Sequence, residues 1–339
     1  MPLVVLFGNV WAALNPWRAA ADAVSWLSGW AGLEWEPPLD YPRRLGRWPA
    51  AVLLLAFATL ELAYVEPASP RALALAIYLY SAATWLAMLL FGREAWLANG
   101  EAFSVYFGFL AKLAPLSVRD RRLVLRLPLL AASIRDPRPG TLPFVAVMLG
   151  SVAFDGFSRT SWWVDWRYEL VSGLAPRTGD IVSTLFSLAG LVAVVVFVGL
   201  AYTLAVRAAA ALSGERRDLA GEFLASLLPI ALAYTVAHYF SLLVYQGQAL
   251  VPLASDPFGR GWDLFGTAGP PEPPRLSANA IWYVQVGALI VGHVAGLVLA
   301  HDRAVALLRS PRLATATQYP LLLLLVLYTV CGLWLLSRG

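Results

Sequence analysis

Two histidines inside apolar runs are the side chains best placed to do chemistry. His238 lies eight residues before the end of one run, and His293 lies ten residues after Tyr283 in the next. At about 1.5 Å of helix rise per residue, these offsets predict similar depths of ~12 and ~15 Å on neighbouring helices. An ionisable side chain in hydrocarbon costs about 2.5–3.5 kcal/mol, so we expect both histidines to face a protein interior with polar partners.

Carboxylates and amides are expected to form a polar rim above the two histidines. The rim residues lie near the ends of apolar runs or just beyond them: Glu61, Asp155, Gln246, Gln248, Asp256, Asp263 and Gln285. Imidazole and carboxylate ligands together suit a borderline divalent ion such as zinc. The pattern therefore predicts a metal site with His238 and His293 as ligands.

Two structural interpretations compete with the metal site. A buried histidine can be a neutral side chain that hydrogen-bonds a neighbouring helix. Gly292 and Gly296, which flank His293 four residues apart, permit close helix packing and could equally make room for the face of a haem.

The segment ASDPFGRGWDLFGTA (254–268) follows the first histidine run. Ser-Asp-Pro initiates turns, and Gly259, Gly261 and Gly266 permit backbone angles that other residues resist. The segment is either a flexible lid that carries Asp256 and Asp263 over the site, or an ordinary connecting loop.

The composition indicates a polytopic membrane protein. The chain of 339 residues is 59% hydrophobic and 14% charged, and several apolar runs reach the roughly 18 residues that a membrane-spanning helix needs. The pI near 9.3 is no sign of a nucleic-acid partner, because basic loops are typical of helical membrane proteins. The single cysteine, Cys331, excludes an internal disulfide.

The apolar runs predict an all-α bundle of seven or eight transmembrane helices in a single domain. The predicted spans are 48–64, 71–91, 142–157, 180–206, 219–246, 279–300 and 319–336. Residues 1–13 are a partial or short span. Pro229 is expected to bend the 219–246 helix.

Basic residues set the predicted orientation. The loops 14–47, 92–141, 207–218 and 301–318 hold 18 of the 25 lysines and arginines, so we place these loops in the cytoplasm. If residues 103–116 crossed the bilayer, every later loop would invert and this bias would be lost. We therefore predict an interfacial or re-entrant helix there, with Glu101 and Lys112 on a polar flank, in a multi-pass protein of the plasma membrane.

The chain resembles a family of actinobacterial polytopic membrane proteins labelled fenitrothion hydrolase. The segments that carry the resemblance span nearly the whole chain: FGNVWAALNPWRA (7–19), GEAFSVYF (100–107), LGSVAFDGFS (149–158), LPIALAYTVAHYFSLLVYQGQ (228–248), ASDPFGRGWDLFGTA (254–268) and WYVQVGALIVGHVAGLVLAHDRA (282–304).

The resemblance implies hydrolysis of an organophosphate triester by a metal-bound water. His238 and His293 would then be metal ligands, and Asp155 or Asp256 a further ligand or the base. Members usually begin with an additional segment that contains a His-Gly and a preceding membrane helix. A ligand supplied by that segment would be missing from this sequence, which begins at MPLVVLFGN.

Three other functions fit the same residues. In a transporter, Glu61, Asp155 and His238 would line a substrate or proton path. In a membrane electron carrier, His238 and His293 would be axial haem ligands. In a structural subunit, the histidines would only join helices. The partners expected from the sequence are the lipid bilayer and a small-molecule substrate, without nucleic acid.

Overall fold

A computed structural model describes residues 2–33, 35–119, 122–125, 138–214, 219–269, 276–308 and 310–337, and these form a helical bundle. The proline-rich stretch 269–275 lies almost wholly outside this part of the chain. So do several of the arginines that set the predicted orientation, namely Arg121, Arg126, Arg135, Arg216, Arg217 and Arg309.

Fifteen helices lie within the described residues. They are α1 (Pro2–Phe7), α2 (Trp11–Leu14), α3 (Pro16–Trp30), α4 (Trp48–Leu62), α5 (Pro70–Phe91), α6 (Arg93–Asn99), α7 (Ala102–Leu110), α8 (Thr141–Ser158), α9 (Ser161–Val171), α10 (Pro176–Ser213), α11 (Leu219–Phe223), α12 (Leu228–Tyr245), α13 (Leu250–Ser255), α14 (Ala278–Leu307) and α15 (Pro311–Leu336). Two short strands, β1 (Leu116–Arg119) and β2 (Arg122–Leu125), pair antiparallel.

Six of these segments are long and apolar enough to cross a membrane: α5, α8, α10, α11–α12 taken together, α14 and α15. The all-α membrane bundle is therefore confirmed, but the predicted number of seven or eight spans is corrected to six within the described residues. α4 has 15 residues, or ~22 Å at about 1.5 Å per residue, which is shorter than the ~30 Å hydrocarbon layer. Residues 1–13 divide between α1 and α2, because the chain turns at Gly8.

The α12–α14 pair is packed closely enough to require glycine. A Cβ atom on Gly292 would lie 2.3 Å from the Cβ of Ala233, and one on Gly296 would lie 2.6 Å from the carbonyl oxygen of Ser226. The predicted role of these two glycines in close helix packing is confirmed.

The predicted 219–246 helix is interrupted before Pro229. A 3₁₀ segment, Leu224–Leu227, separates α11 from α12, and Pro229 lies in the first turn of α12. Proline is well tolerated in a first turn because its missing N–H would have no partner there, so the break replaces the expected bend.

One end of the bundle, here called the Arg47 end, gathers several connections. The N–H of Arg47 donates to the carbonyl oxygen of Pro139, and the N–H of Leu39 donates to that of Leu90. The start of α4, the start of α8 and the end of α5 therefore meet at the Arg47 end. The opposite ends of α4 and α8 carry Glu61 and Asp155, and this side is called the Asp155 end.

The α6–α7 segment runs into the bundle and turns back, and it is called the re-entrant segment. α6 begins at the Arg47 end, directly after α5. The segment turns at Glu101, which contacts Tyr80 in the central part of α5. α7 then returns, since Phe109 lies 5.8 Å from Phe144 near the start of α8, with the Arg47 guanidinium 4.3 Å from the Phe109 ring.

This geometry fits the re-entrant alternative predicted for residues 103–116, but Glu101 is not on a polar flank. It is fully buried, because its carboxylate caps the first turn of α7 by accepting from the N–H groups of Phe103 and Ser104.

Candidate functional site

His238 lies between two carboxylates that come from two other helices. Its Nδ1 is 3.0 Å from Oδ2 of Asp155, in the last turn of α8, and its Nε2 is 3.9 Å from Oε1 of Glu61, near the end of α4. The three side chains are 15%, 15% and 32% exposed, respectively, so they form a largely buried charged centre. The prediction that His238 has polar partners inside the bundle is confirmed, because Asp155 and Glu61 contact it.

Two further side chains hold the carboxylates in place. The hydroxyl of Tyr239 donates to both oxygens of Glu61, at 2.8 and 3.1 Å. Arg159, one turn after Asp155 on the same helix, donates to the second oxygen of that carboxylate at 3.1 Å. Each carboxylate therefore has one contact with His238 and another with a fixed donor.

A cavity of about 360 Å³ opens beside this centre between α8, α12, α14 and α15. Its polar lining consists of Asp155, Arg159, Tyr234, His238, Ser241, Trp282 and Gln285. A space of this size admits a small solute, and its walls offer both hydrogen-bond donors and acceptors.

His293 lies deeper in the bundle than His238, so the predicted similar depth is wrong. The amide of Gln285 donates to the carbonyl oxygen of Ala237 at 2.7 Å, which puts His238 level with Gln285. Gly292, directly before His293, packs instead on Pro229 and Ala233. Eight residues of α14 therefore separate the two histidine levels, or ~12 Å at about 1.5 Å per residue.

The error in depth has a local cause. α14 begins at Ala278, five residues before Tyr283, which served as the reference for depth. His293 donates from Nδ1 to the carbonyl oxygen of Leu289 at 2.7 Å and packs edge-on against Tyr234. Nε2 is buried without a hydrogen-bond partner among the described residues.

The donor set does not fit the predicted zinc site. His238 and His293 do not converge, and the described part of the chain holds no group of three or more His, Cys, Asp or Glu side chains arranged around a common point for a metal ion. The Nδ1 atom of His238 instead contacts the carboxylate of Asp155. The levels of the two histidines also differ by ~12 Å along the helix direction. They therefore do not face each other as the predicted pair of axial haem ligands.

The predicted amide rim is only partly present. Gln285 lines the cavity, as expected. The side-chain amide of Gln248 donates to the carbonyl oxygen of Val244 at 2.8 Å, and Gln246 is exposed at the end of α12. Neither Gln246 nor Gln248 is among the residues that line the cavity.

Asp256 and Asp263 stabilise their own loop. Asp256 accepts from the N–H groups of Arg260 and Gly261, at 2.8 and 2.7 Å. Slight desolvation opposes ionisation, but these N–H donors outweigh it and hold the pKa of Asp256 below its usual range. Asp256 is not in the wall of the His238 cavity, so the role of base predicted for it gains no support.

Asp263 has the same structural role as Asp256. It accepts from the N–H of Ala268 and the hydroxyl of Ser255, and these donors keep the pKa of Asp263 low. Both aspartates therefore bind groups within their own loop, which favours the ordinary connecting loop over a lid that carries them to the site.

A second cavity, of about 120 Å³, lies on the other side of Glu61 and is called the middle cavity. Its polar lining consists of Glu61, Tyr106, Ser151, Thr235 and Tyr239. Tyr106 on α7 hydrogen-bonds Thr235 at 2.9 Å, one turn of α12 away from His238. Glu61 therefore connects the His238 centre to the re-entrant segment.

Sequence reasoning identified His238, Asp155 and Glu61 but missed Arg159 and Tyr239. Arg159 was not among the predicted site residues, although its position four residues after Asp155 on a helix favours an ion pair. Tyr239 could not be assigned from sequence, because its contact with Glu61 depends on how α4 packs against α12.

Comparison of the chain with protein-family models, with curated proteins and with solved structures finds no match.

Proposed function

We propose that the chain is a proton-linked membrane transporter for a small solute, with Asp155, His238 and Glu61 as its proton-binding centre. The observation that carries this proposal is the position of His238 between two carboxylates contributed by two other helices of a membrane bundle. Ionisable groups at membrane depth are costly and typically mark proton or substrate pathways.

The surroundings of the centre support a path rather than a closed site. The 360 Å³ cavity reaches His238 from the Asp155 end, and the middle cavity continues from Glu61 towards the re-entrant segment. A proton received by His238 can pass to Glu61 across the 3.9 Å gap after a small rotation of either side chain. The hydroxyls of Tyr239, Tyr106 and Thr235 line the next stage.

Proton flux into vesicles tests this function, because a proton-binding centre with a cavity on each side also conducts protons down an electrical potential when its solute is absent. The purified protein is reconstituted into liposomes that contain a pH-sensitive dye, and a potassium diffusion potential drives protons inwards. We expect internal acidification at least about fivefold faster than in protein-free vesicles, and a loss of this excess in His238→Gln, because glutamine cannot bind the transferred proton.

The matched control is His301→Gln, the same substitution at an exposed histidine that bonds Gln318. It should acidify like the natural chain. A His238→Gln variant that conducts as fast as the natural chain, or natural protein that conducts no faster than empty vesicles, would contradict the proposal.

Hydrolysis is a second candidate, favoured by the Asp155–His238 pair at the cavity wall. A carboxylate that orients an imidazole is the arrangement of a general base. His238 would take a proton from water as the water oxygen attacks phosphorus and an aryl oxide leaves, with Arg159 close to the developing negative charge. Release of nitrophenolate from fenitrothion by detergent-solubilised protein, where no gradient exists, would favour this candidate over transport.

A further inference from the structure

Glu101 is a buried carboxylate held entirely by neutral donors. It accepts from Asn15 Nδ2 at 3.0 Å, from the N–H groups of Phe103 and Ser104 at 2.9 and 2.8 Å, and from the hydroxyl of Tyr80. Tyr80 is the titratable side chain that contacts it from α5, while α3 presents the amide of Asn15. No cation touches Glu101 in the contacts of the described residues.

One helix begins at this carboxylate, and a second begins at a residue that donates to it. Glu101 is the N-cap of α7, and Asn15, which donates to Glu101, is the N-cap of α3. The N-terminus of a helix carries a partial positive charge and free N–H donors, so negative charge is favoured at such a position. The Glu101 side chain is thus an anion tethered where a free anion would also be stabilised.

A basic cavity of about 300 Å³ adjoins the same turn of α7 and is called the inner cavity. Its charged lining among the described residues is Arg18, Arg47, Lys112, Arg138 and Glu94. Four cations and one carboxylate give this lining a positive balance at the Arg47 end. A concave, positively lined space raises the local concentration of anions.

The first turn of α7 separates the inner cavity from the middle cavity. Ser104 lines the inner cavity, and its hydroxyl accepts from Asn15 Nδ2 at 3.0 Å. Phe103 and Tyr106 line the middle cavity on the other side. Glu101 itself lines neither cavity, but its two N–H partners do: Phe103 lines the middle cavity and Ser104 the inner cavity.

We infer that the transported solute is a small inorganic anion, which binds in the inner cavity and replaces the Glu101 carboxylate at the helix N-termini when Glu101 is protonated. This inference rests on the proposed proton-linked transport. The exchange is balanced in charge: Glu101 gains one proton, the monovalent anion takes over its N–H donors, and the buried net charge remains −1. One proton therefore accompanies each monovalent anion.

The test uses the same dye-loaded vesicles without an imposed potential. Potassium nitrate, chloride or phosphate is added outside, with potassium gluconate as a large anion of equal concentration. We expect at least one of the three small anions to acidify the interior at least about fivefold faster than gluconate. Equal rates for all four salts would overturn the inference.

The basic lining is tested with a matched pair of variants. Arg138→Gln removes a cation from the inner cavity, whereas Arg312→Gln removes one from an exposed position on α15. We expect the concentration of anion that gives half-maximal acidification to rise at least about fivefold in Arg138→Gln and to stay unchanged in Arg312→Gln. Equal effects of the two substitutions would overturn the assignment of the cavity.

Glu101→Gln tests the tethered anion. We expect it to retain potential-driven nitrate flux and to lose the acidification that accompanies nitrate, because glutamine resembles the protonated side chain but carries no exchangeable proton. Loss of both the nitrate flux and the acidification, in a variant that elutes as a folded species, would overturn the role of Glu101. If this variant does not fold, the natural chain decides: about one proton should enter with each nitrate, and nitrate uptake without acidification would overturn the role.

The results separate this inference from the proposed function. Proton flux that depends on His238, without any response to the three anions, would leave proton-linked transport in place and remove the anion. An anion-driven acidification that persists in His238→Gln would support the anion site and contradict the proton centre.

Discussion

At the scale of single residues, Glu101 and His238 represent two ways to keep charge inside the bundle. Glu101 accepts hydrogen bonds from the side-chain amide of Asn15 and from two N–H groups at the start of α7, and no cation touches it within the described part of the chain. His238 is paired with carboxylates that can accept its proton. The N–H donors around Glu101 therefore suit exchange of its carboxylate for another anion, whereas the carboxylates around His238 suit proton exchange.

The contribution of Tyr80 to the Glu101 cluster can be measured. Tyr80→Phe removes one donor from a buried carboxylate, and hydrogen bonds to charged groups contribute about 1.5–3 kcal/mol. We expect the free energy of unfolding, measured by SDS titration of the detergent-solubilised protein, to fall by about that amount. Tyr78→Phe is the control, because Tyr78 is 70% exposed on the same helix. Equal stability of the two variants would argue against a stabilising bond to Glu101.

Single residues also show what sequence alone could reveal. His238 and Asp155 were identifiable because ionisable side chains are rare in apolar runs and need partners. The pairing of His238 with His293 was wrong, because depth was measured from Tyr283, whereas α14 begins at Ala278. The Glu101 cluster joins Asn15 to a residue 86 positions away, and no local pattern in the sequence predicts such a contact.

At the scale of elements, broken helices place the polar groups. α11 and α12 are separated by a 3₁₀ segment, and α6 and α7 by the turn at Gly100 and Glu101. Helices that start inside a bundle present unpaired N–H groups there, and discontinuous helices in transporters use these groups to bind ions. Periodicity located the apolar runs, but it could not show the break before α12, because the segment Leu224–Leu227 is largely apolar like its flanks.

The contact between α12 and α14 gives a prediction for an element. In Gly296→Ala the new Cβ would lie 2.6 Å from the carbonyl oxygen of Ser226, so one of the two backbones must move. We expect the free energy of unfolding to fall by about 1–3 kcal/mol, the usual cost of overpacking. Gly287→Ala on the same helix has no neighbour within 4 Å and should not be destabilised. A stable Gly296→Ala in the same SDS titration would contradict the close approach of the two helices.

At the scale of the whole molecule, the cavities are arranged on both sides of one charged centre. The cavity at the Asp155 end and the inner cavity at the Arg47 end approach from opposite ends of the bundle, and the middle cavity lies between Glu61 and α7. The composition predicted a membrane bundle and counted α4 among the spans, although α4 has 15 residues and is shorter than the six helices that are long enough to cross a membrane.

The re-entrant segment predicts the sidedness of the whole chain. If residues 93–113 enter and leave at the Arg47 end, single cysteines at Glu94 and Leu125 must lie on the same side of the membrane, and one at Tyr168, on α9 beyond the Asp155 end, must lie on the other. All three positions are exposed. We expect a membrane-impermeant maleimide to label Tyr168→Cys in intact cells, in a Cys331→Ala background, and to label the other two only after permeabilisation. Labelling of Glu94→Cys and Leu125→Cys from opposite sides would show that the segment crosses the membrane. The inner cavity could then no longer be assigned to the side opposite the Asp155 end.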